Sequence, residues 1–463
     1  MSVPPLIATH FYLYATCAHR VALDLFGDRS LALPDTQIER ALKARGLAHE
    51  AAIAAARGYL RPDHGRDNLA LAFQETLALM REGHEGIYQG VLLADDMIGM
   101  PDLLLREPGP SALGDYRYTV GDVKISRRAR SDQALQVAFY AHLLGLVQGV
   151  LPERLLLLLG DGREEWFPAE GVGGVFDQAL ADLLALCKGA RSTEPFLKPA
   201  CAHCPWRAVC LPALEAADDL SLVPGMTPAR RTVLRQAGVG SVSALAASHP
   251  DRLSKSARME GAALRPLVRQ AAALVARRPL PASPAPPPPG PPELLVTAFE
   301  DPSGEGRTVL VTVSFTDPRE GPKTAFLWAL TAVDEKGLYE KTLHALARKL
   351  QAPVYHYGPG VPAQIARMES RYGADEAGLR ALHRLVDVAP LVRRAAAVPV
   401  RAYALHETAE ATGYAGPAPE GDTLLDCWKL EEGDEGARER LIKAAHAERE
   451  ALRHLLGWLR SIS

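Results

Sequence analysis

Apolar residues recur at helical spacing through much of the first 215 residues, and short β-rich runs lie between them. The stretches IERALKARGLAHEAAIAAARG and QALQVAFYAHLLGLVQG have the 3.6-residue period of helices with one apolar face. The stretches YQGVLLADDMIGMPDLLL and YRYTVGDVKIS have the apolar and β-branched content of strands. This mixture predicts an α/β fold for residues 1–215.

Prolines crowd residues 279–292, in the segment PLPASPAPPPPGPP. Successive prolines fix φ and remove backbone donors, which favours an extended, semi-rigid spacer. We therefore expect residues 279–292 to be a linker between regions that fold separately. Residues 216–278, just before it, show short helical segments separated by glycine turns, and they resemble helix-hairpin-helix modules.

Three strand-like runs follow the linker, namely ELLVTAFED, TVLVTVSFT and AFLWALTA, and a mostly helical pattern continues to the end. Strands followed by helices predict an α+β or RNase H-like domain over residues 293–463. A length of 463 residues agrees with several domains, since about 150 residues per domain is common.

Composition and charge exclude some classes of protein. The chain is 48% hydrophobic and 23% charged, which is unlike a wholly disordered or fibrous protein. The formal net charge is −3, so binding to nucleic acid would depend on local basic patches. No apolar run reaches the roughly 18 residues that span a bilayer, and the first residues lack a signal peptide pattern. We expect no membrane partner and a cytoplasmic location.

Two acidic positions and one lysine suggest hydrolytic chemistry. Asp102 follows Met100-Pro101 in one β-rich stretch, and Asp122-Val123-Lys124 ends another. Residues two apart in a strand point to the same face, so Asp122 and Lys124 should project side by side. Two carboxylates can hold a hard divalent ion, while an ammonium group beside them orients or deprotonates the attacking water. An Asp-x-Lys triplet alone also fits an ordinary surface strand.

Two further groups of polar residues lie on predicted helices. Gln136 and Tyr140 are four residues apart in the second helical stretch, so both side chains can reach one ligand. The alternative is a buried helix with two satisfied polar groups. His49 lies in the first helical stretch, where a neutral imidazole can bind a metal or can serve a structural role.

In their order and spacing, these motifs resemble those of the RecB-like nucleases of the PD-(D/E)xK superfamily. The resemblance covers residues 1–215 and implies a restriction-endonuclease-like core. It implies a Mg²⁺ or Mn²⁺ site whose ligands are His49, Asp102, Asp122 and the carbonyl of Val123. It also implies a catalytic set made of Asp102, Asp122, Lys124, Gln136 and Tyr140. In such a site Lys124 acts on the nucleophilic water, and Gln136 and Tyr140 position DNA or Lys124.

Four of the six cysteines have spacing that suits a metal centre. Three form Cys201-x-x-Cys204-x5-Cys210, and Cys17 lies far upstream. Four thiolates can hold a 4Fe-4S cluster or a structural zinc, and spacing alone leaves both open. The pattern resembles the cluster of AddB and of CRISPR-associated RecB-like nucleases, which implies a 4Fe-4S cluster. Cys187 and Cys427 lack partners at ligand spacing and are expected to be packing residues.

Basic residues follow the Asp-x-Lys strand at Arg127, Arg128 and Arg130. They are either a solvated turn or a surface that binds the phosphates of an entering DNA strand. The resulting hypothesis is a metal-dependent deoxyribonuclease, an exonuclease on single-stranded or frayed DNA ends, acting in repair, recombination or defence. A helicase is a candidate partner. The alternative is a non-catalytic DNA-binding adaptor that holds strands for such a partner.

The C-terminal region lacks the acids of an active RNase H-like exonuclease. Those enzymes carry Asp-x-Glu on the first strand, whereas here the acids Glu300 and Asp301 come at the strand end. The late acidic motif is reduced to His446-x-x-x-Glu450. Two-metal catalysis needs a full acidic set, so we expect residues 293–463 to be a degenerate domain that binds or supports other elements.

Overall fold

The computed structural model describes residues 4–64, 67–126, 128–282, 288–302, 306–317, 321–349 and 351–462. These residues form a mixed α/β structure, as predicted, with several mixed sheets. The chain divides into two compact units. The first comprises residues 4–195 and 200–209, and the second comprises residues 196–199, 210–302 and 306–462.

The first unit contains six helices and eight strands in its described residues. The helices are α1 (Ala8–Thr16), α2 (Ala18–Phe26), α3 (Gln37–Ala56), α4 (Leu69–Glu82), α5 (Ser131–Gln148) and α6 (Glu170–Cys187). The strands are β1 (Leu6–Ile7), β2 (Gly86–Tyr88), β3 (Leu92–Ala94), β4 (Met97–Gly99), β5 (Leu103–Ser111), β6 (Gly114–Val123), β7 (Arg154–Leu158) and β8 (Glu164–Pro168).

The main sheet of this unit has the order β2-β5-β6-β7-β8. The pairs β2–β5, β5–β6 and β7–β8 are antiparallel, while β6–β7 is parallel. Helix α5 makes the connection between β6 and β7, as a parallel pair requires. The residues of β6 from Tyr118 to Val123 are all buried, which explains why its apolar pattern is nearly continuous.

A smaller sheet of order β1-β4-β3 lies against the same helix α5. The rings of Phe11, Phe139 and Phe176 stack at this core, with centroid separations of 4.5 and 5.3 Å. Helix α5 ends where Gly149 adopts a left-handed φ of 75°, a conformation that glycine allows without a Cβ clash. The helix is therefore packed on two sheets and ends at a glycine.

The second unit begins with helices and continues with a sheet. Its helices, with α7 at the unit boundary, are α7 (Arg207–Ala216), α8 (Pro228–Gln236), α9 (Val242–Ala246), α10 (Pro250–Ala257), α11 (Gly261–Ala276), α12 (Asp334–Ala347), α13 (Gly360–Tyr372), α14 (Glu376–Leu382), α15 (Val388–Ala395), α16 (Leu405–Ala411), α17 (Thr423–Glu431) and α18 (Glu435–Ile462). Its strands are β9 (Leu280–Pro281), β10 (Glu293–Glu300), β11 (Thr308–Asp317), β12 (Gly321–Trp328), β13 (Val354–His356), β14 (Leu385–Asp387) and β15 (Ala396–Ala397).

Residues 216–278 are helical, as the sequence predicts, and share one apolar core. Gly225 and Gly238 both have a φ of 83°, so each turn uses a conformation that favours glycine. The buried carboxylate of Asp219 lies 3.3 Å from the Arg231 guanidinium and 2.9 Å from that of Arg235. These two arginines thus have a structural role inside the helical region.

The large sheet of the second unit has the order β12-β11-β10-β13-β14. Strands β10, β11 and β12 are antiparallel neighbours, and β13 and β14 run parallel to β10. Helices α12 and α13 cover one face, while α15, α16 and α18 cover the other. The three strand-like runs after the linker therefore form strands, and the helical pattern behind them covers both sheet faces.

The proline-rich segment 279–292 is described in part, because residues 283–287 lie outside the described residues. Strand β9 at its start pairs with β15, and near its end the carbonyls of Pro288 and Pro289 accept hydrogen bonds from Arg460. The division into domains at 1–215, 216–278 and 293–463 stays a prediction. Within the described ranges, the helices are all too short or too polar to cross a membrane.

Candidate active site

Asp122 lies on β6 of the first unit, and Asp102 directly precedes the neighbouring strand β5. Leu103 at the start of β5 pairs with Gly121 of β6, so Asp102 falls next to Asp122. The Oδ2 atom of Asp102 accepts a hydrogen bond from the backbone N–H of Val123 at 2.7 Å. The Asp122 side chain is only 1% exposed. The strand pairing therefore brings the two predicted carboxylates together.

The surroundings of Asp102 strongly affect its protonation. Burial raises the pKa of Asp102 well above its usual range, and the charges of Asp122 and Glu50 raise it further. The Asp102 and Asp122 side chains also share a hydrogen bond. Close, buried carboxylates repel each other when both are ionised. A bound cation would relieve this repulsion.

Lys124 contributes the positive charge of the site. Its ammonium group forms an ion pair with Asp122 and donates a hydrogen bond to Gln136 Oε1 at 3.3 Å. Burial lowers the pKa of Lys124, but the carboxylates of Asp122 and Asp102 raise it by more, so the net pKa lies above its usual value. The side chain therefore carries its charge at neutral pH.

Gln136 and Tyr140 share one face of α5, as their spacing predicts. The Gln136 Nε2 group lies 3.5 Å from the Tyr140 hydroxyl and donates to it. Burial, then the charges of Asp122 and Asp102, raise the pKa of Tyr140 well above its usual range. A chain of contacts thus runs from Asp122 through Lys124 and Gln136 to Tyr140.

Gly99 has a steric reason to precede the Pro-Asp pair. A Cβ atom at this position would lie 2.6 Å from Leu143 Cδ1 and 3.1 Å from Tyr140 Cδ1. A Cβ atom so close to Leu143 would force the Leu143 side chain to move and would crowd the Tyr140 ring. Glycine at the end of β4 lets α5 bring Tyr140 close to the carboxylates.

Helix α3 carries His49, as predicted, and places a second acid that the sequence did not single out. The Nε2 atom of His49 is buried and has no hydrogen-bond partner among the described residues. Glu50 raises the pKa of Asp102 and interacts with the charge of Lys124, so its carboxylate lies near both. Gln89 Nε2 donates to Glu50 Oε2 at 3.5 Å. The only sequence signal for Glu50 was its position beside His49.

The carboxyl groups of this site suit a hard divalent cation. Two hydrogen-bonded carboxyl groups and a third nearby carboxylate supply the oxygen ligands that Mg²⁺ and Mn²⁺ prefer, while the placement of His49 Nε2 beside them stays a prediction. Within the described residues, no three His, Cys, Asp or Glu side chains are already gathered closely enough to hold a metal ion. The carboxylates instead pair with each other and with Lys124.

Three of the four predicted cluster cysteines interact in the first unit. Cys17 separates α1 from α2, and Cys201 and Cys204 lie in the turn after residue 199. Burial raises the pKa of Cys204, and the nearby thiols of Cys201 and Cys17 also act to raise it. Cys210 belongs to the second unit, so the four-cysteine set stays a prediction. None of the six cysteines, all of which lie in the described part of the chain, forms a disulfide.

The basic segment lies between β6 and α5. Arg127 is outside the described residues, while Arg128 and Arg130 are exposed. The backbone N–H of Arg130 donates to Gln133 Oε1 at 2.9 Å, which fixes the chain where α5 begins. The segment therefore connects the strand that carries Asp122 to the helix that carries Gln136.

No protein-family model matches the chain, and no curated protein matches it. The chemistry of the site therefore has to be inferred from its own residues.

Proposed function

We propose that the protein is a metal-dependent deoxyribonuclease, an exonuclease that acts on single-stranded or frayed DNA ends. The observation that carries this proposal is the contact of Asp102, Asp122 and Lys124 at the adjoining ends of β5 and β6. A carboxylate pair beside a retained ammonium group suits phosphodiester hydrolysis, in which negative charge develops on the phosphate.

The topology around these residues supports a RecB-like, restriction-endonuclease-like core. Asp102 directly precedes β5 and Asp122 lies on its antiparallel neighbour β6. Helix α5 follows with Gln136 and Tyr140, and β7 then pairs in parallel with β6. The elements thus occur in the order of the nuclease motifs. The resemblance to RecB-like nucleases favours DNA over RNA as the substrate.

In this proposal His49 Nε2, Asp102, Asp122 and the carbonyl of Val123 would hold Mg²⁺ or Mn²⁺. When bound, the ion supplies Lewis acidity towards the scissile phosphate and its attacking water. The ammonium group of Lys124 orients that water and offsets the charge of the phosphate. Gln136 keeps Lys124 in place through its 3.3 Å hydrogen bond. Arg127, Arg128 and Arg130 bind the backbone of the entering strand.

We also propose that Cys17, Cys201, Cys204 and Cys210 bind a 4Fe-4S cluster, with structural zinc as the alternative. The interaction of three of the thiols supports a shared centre. Trp206 is nearly fully buried, and its Nε1 donates to Asp24 on α2 at 2.8 Å. The cysteine turn is thus tied to the helix that follows Cys17, so a metal there would stabilise the fold.

The second unit supports the proposal of a degenerate RNase H-like domain. The order β12-β11-β10-β13-β14 suits such a fold, but the acids at the end of β10 are neutralised by arginines. Glu300 pairs with Arg367, and the buried Arg307 lies 3.9 Å from Asp301. Glu450 pairs with Arg449 at 2.9 Å. Carboxylates paired in this way are poor metal ligands.

These arginine pairs are also the observation that favours the alternative function, a non-catalytic adaptor that holds DNA for a helicase. The two proposals differ in whether Asp102 and Asp122 cleave DNA. We would incubate end-labelled single-stranded and duplex DNA with anaerobically purified protein and Mn²⁺ or Mg²⁺. The nuclease proposal expects shortening of the single strand by wild type and none by Asp122→Asn. Binding without cleavage by either protein would favour the adaptor.

A further inference from the structure

A broad cleft lies in the second unit, between the outer strands of the large sheet and helix α12. Its volume is about 1090 Å³, which exceeds the needs of a simple ion. We call it the α12 cleft and define it by Phe315 on β11, Lys323 on β12, and Lys341, His344, Arg348 and Lys349 on or just after α12. None of these residues belongs to the candidate active site.

Positive charge comes from both walls of the α12 cleft. Lys323 lies on the strand wall, while Lys341, Arg348 and Lys349 lie on the helix wall, and all four are exposed. Glu340 is the one acidic residue that lines this cleft in the described part of the chain. Cations near a helix C-terminus stabilise the helix dipole, but Lys323 is on a strand and Lys341 is in the helix interior. Helix stability alone therefore does not explain this distribution.

One of these cations is held in position above an aromatic ring. The Lys349 ammonium lies 4.3 Å from the centroid of Phe315, a cation–π arrangement. The exposed Ala325 and the half-buried Leu327 add an apolar floor beside it. The cleft thus combines a cationic rim with an apolar floor, which suits a ligand that carries regular negative charge and flat apolar groups.

We infer that the α12 cleft binds single-stranded nucleic acid, mainly through its phosphate backbone and without base specificity. Single strands expose both phosphates and unstacked bases, and protein grooves bind them with basic and apolar side chains. A duplex keeps its bases stacked inside, so it would leave the apolar floor unused. The inference rests on the proposed function for its choice of DNA, but its evidence lies in a different set of residues.

The test uses the full chain and a fluorescent oligothymidylate, in EDTA so that no cleavage occurs. The variant Lys341→Ala/Arg348→Ala removes two exposed cations of the cleft. The matched control, Lys443→Ala/Arg380→Ala, removes two exposed cations that do not line it. Fluorescence anisotropy at several salt concentrations gives affinity and its salt dependence. We expect the cleft variant to bind at least about fivefold more weakly than the control, with a salt slope smaller by about 2.

Equal affinity and equal salt slopes for the two variants would overturn the inference, as would absence of binding by wild type. Binding of an acidic peptide such as polyglutamate that oligothymidylate does not displace would also overturn it, since the cleft would then be a protein-docking site. Failure of the nuclease proposal would give a different result, namely no Asp122-dependent cleavage with Mn²⁺. Binding in EDTA would still test the α12 cleft, because it is measured without any cleavage.

Discussion

Asp102 accepts a 2.7 Å hydrogen bond from the backbone N–H of Val123, so the first acid of the site is fastened to the strand that carries the second. The hydrogen bond fixes the position of Asp102, although burial and the charges of Asp122 and Glu50 raise its pKa. In the proposed metal site, this position would favour metal binding at a cost to the stability of the metal-free protein.

Asp102→Asn should stabilise the metal-free protein. An acid whose folded pKa is raised binds more protons in the folded than in the unfolded state, so its effect on stability becomes less favourable as pH rises above the unfolded pKa. In EDTA, we expect a higher melting temperature for the variant at pH 8, and a smaller gain at pH 5. The exposed Asp115→Asn on β6 is the control. A lower melting temperature of Asp102→Asn at pH 8 would contradict the explanation.

Glu50→Gln should weaken the metal site without disturbing α3. Its carboxylate interacts with both Asp102 and Lys124, so its removal reduces the negative potential that attracts a divalent ion. We expect cleavage to fall about tenfold and the Mn²⁺ concentration for half-maximal rate to rise. The exposed Glu85→Gln serves as the matched control. Unchanged Mn²⁺ dependence in the Glu50 variant would exclude Glu50 from the site.

Gln136→Ala should act through Lys124. Loss of the 3.3 Å hydrogen bond frees the ammonium group to adopt other positions, so we expect kcat to fall about tenfold while KM for DNA stays nearly constant. Gln136→Glu, which keeps an oxygen acceptor, should recover part of the rate. The control is Gln178→Ala, which removes a glutamine side chain at an exposed position on α6, away from Lys124. A rise in KM with constant kcat would assign Gln136 to substrate binding.

Cys204→Ser should remove the proposed metal centre from the first unit. Anaerobically purified wild type should absorb at about 400 nm, where thiolate-bound iron–sulphur clusters absorb, and the variant should lose this band. The variant should also melt at a lower temperature, because the centre would hold the turn after residue 199 to the segment around Cys17. Cys187→Ser is the control in the same unit. Bound zinc without the absorption band would show that the centre is a zinc site and not an iron–sulphur cluster. Absence of both metals would contradict the proposed metal centre.

Arg307→Ala should lower stability but leave catalysis intact. The buried guanidinium lies 3.2 Å from Glu431 and 3.9 Å from Asp301. Removing one partner of a buried ion pair costs about 3 kcal/mol, because the carboxylates that remain lose their buried counter-charge. We therefore expect a lower midpoint of urea unfolding, with unchanged DNA cleavage per folded molecule. The control is Arg438→Ala, which removes an arginine from the face of Trp328 and so measures the effect of lost packing in the same unit. Loss of cleavage in Arg307→Ala alone would argue against a degenerate domain.

Local periodicity allowed much of the candidate site to be predicted. Asp122 and Lys124 are two residues apart at a strand end, and Gln136 and Tyr140 are four apart in a helix, so each pair shares a side for geometric reasons. The same periodicity predicted the strands after the linker. These relationships depend on the neighbouring residues only.

Contacts between distant segments could not be predicted in this way. Glu50 reaches the carboxylates because α3 packs near the β5–β6 pair, and nothing in its own helix indicates this. The pair of Arg367 with Glu300 likewise depends on how α13 packs on β10. Such charge pairs arise from tertiary packing, so sequence spacing carries no signal for them.

Two glycines of the first unit, Gly46 and Gly99, differ in how much variation they permit. Gly46 lies in α3 with no atom within 4 Å of the Cβ that it lacks, whereas Gly99 faces Leu143 and Tyr140 at 2.6 and 3.1 Å. Position 46 therefore accepts any residue that favours a helix, and alanine there would gain about 1 kcal/mol of helix propensity. At position 99 a methyl group would require the Leu143 side chain to move and the Tyr140 ring to give way. Two glycines of one unit thus differ in tolerance: one lies in open space, and the other leaves the room that a ring of the candidate site occupies.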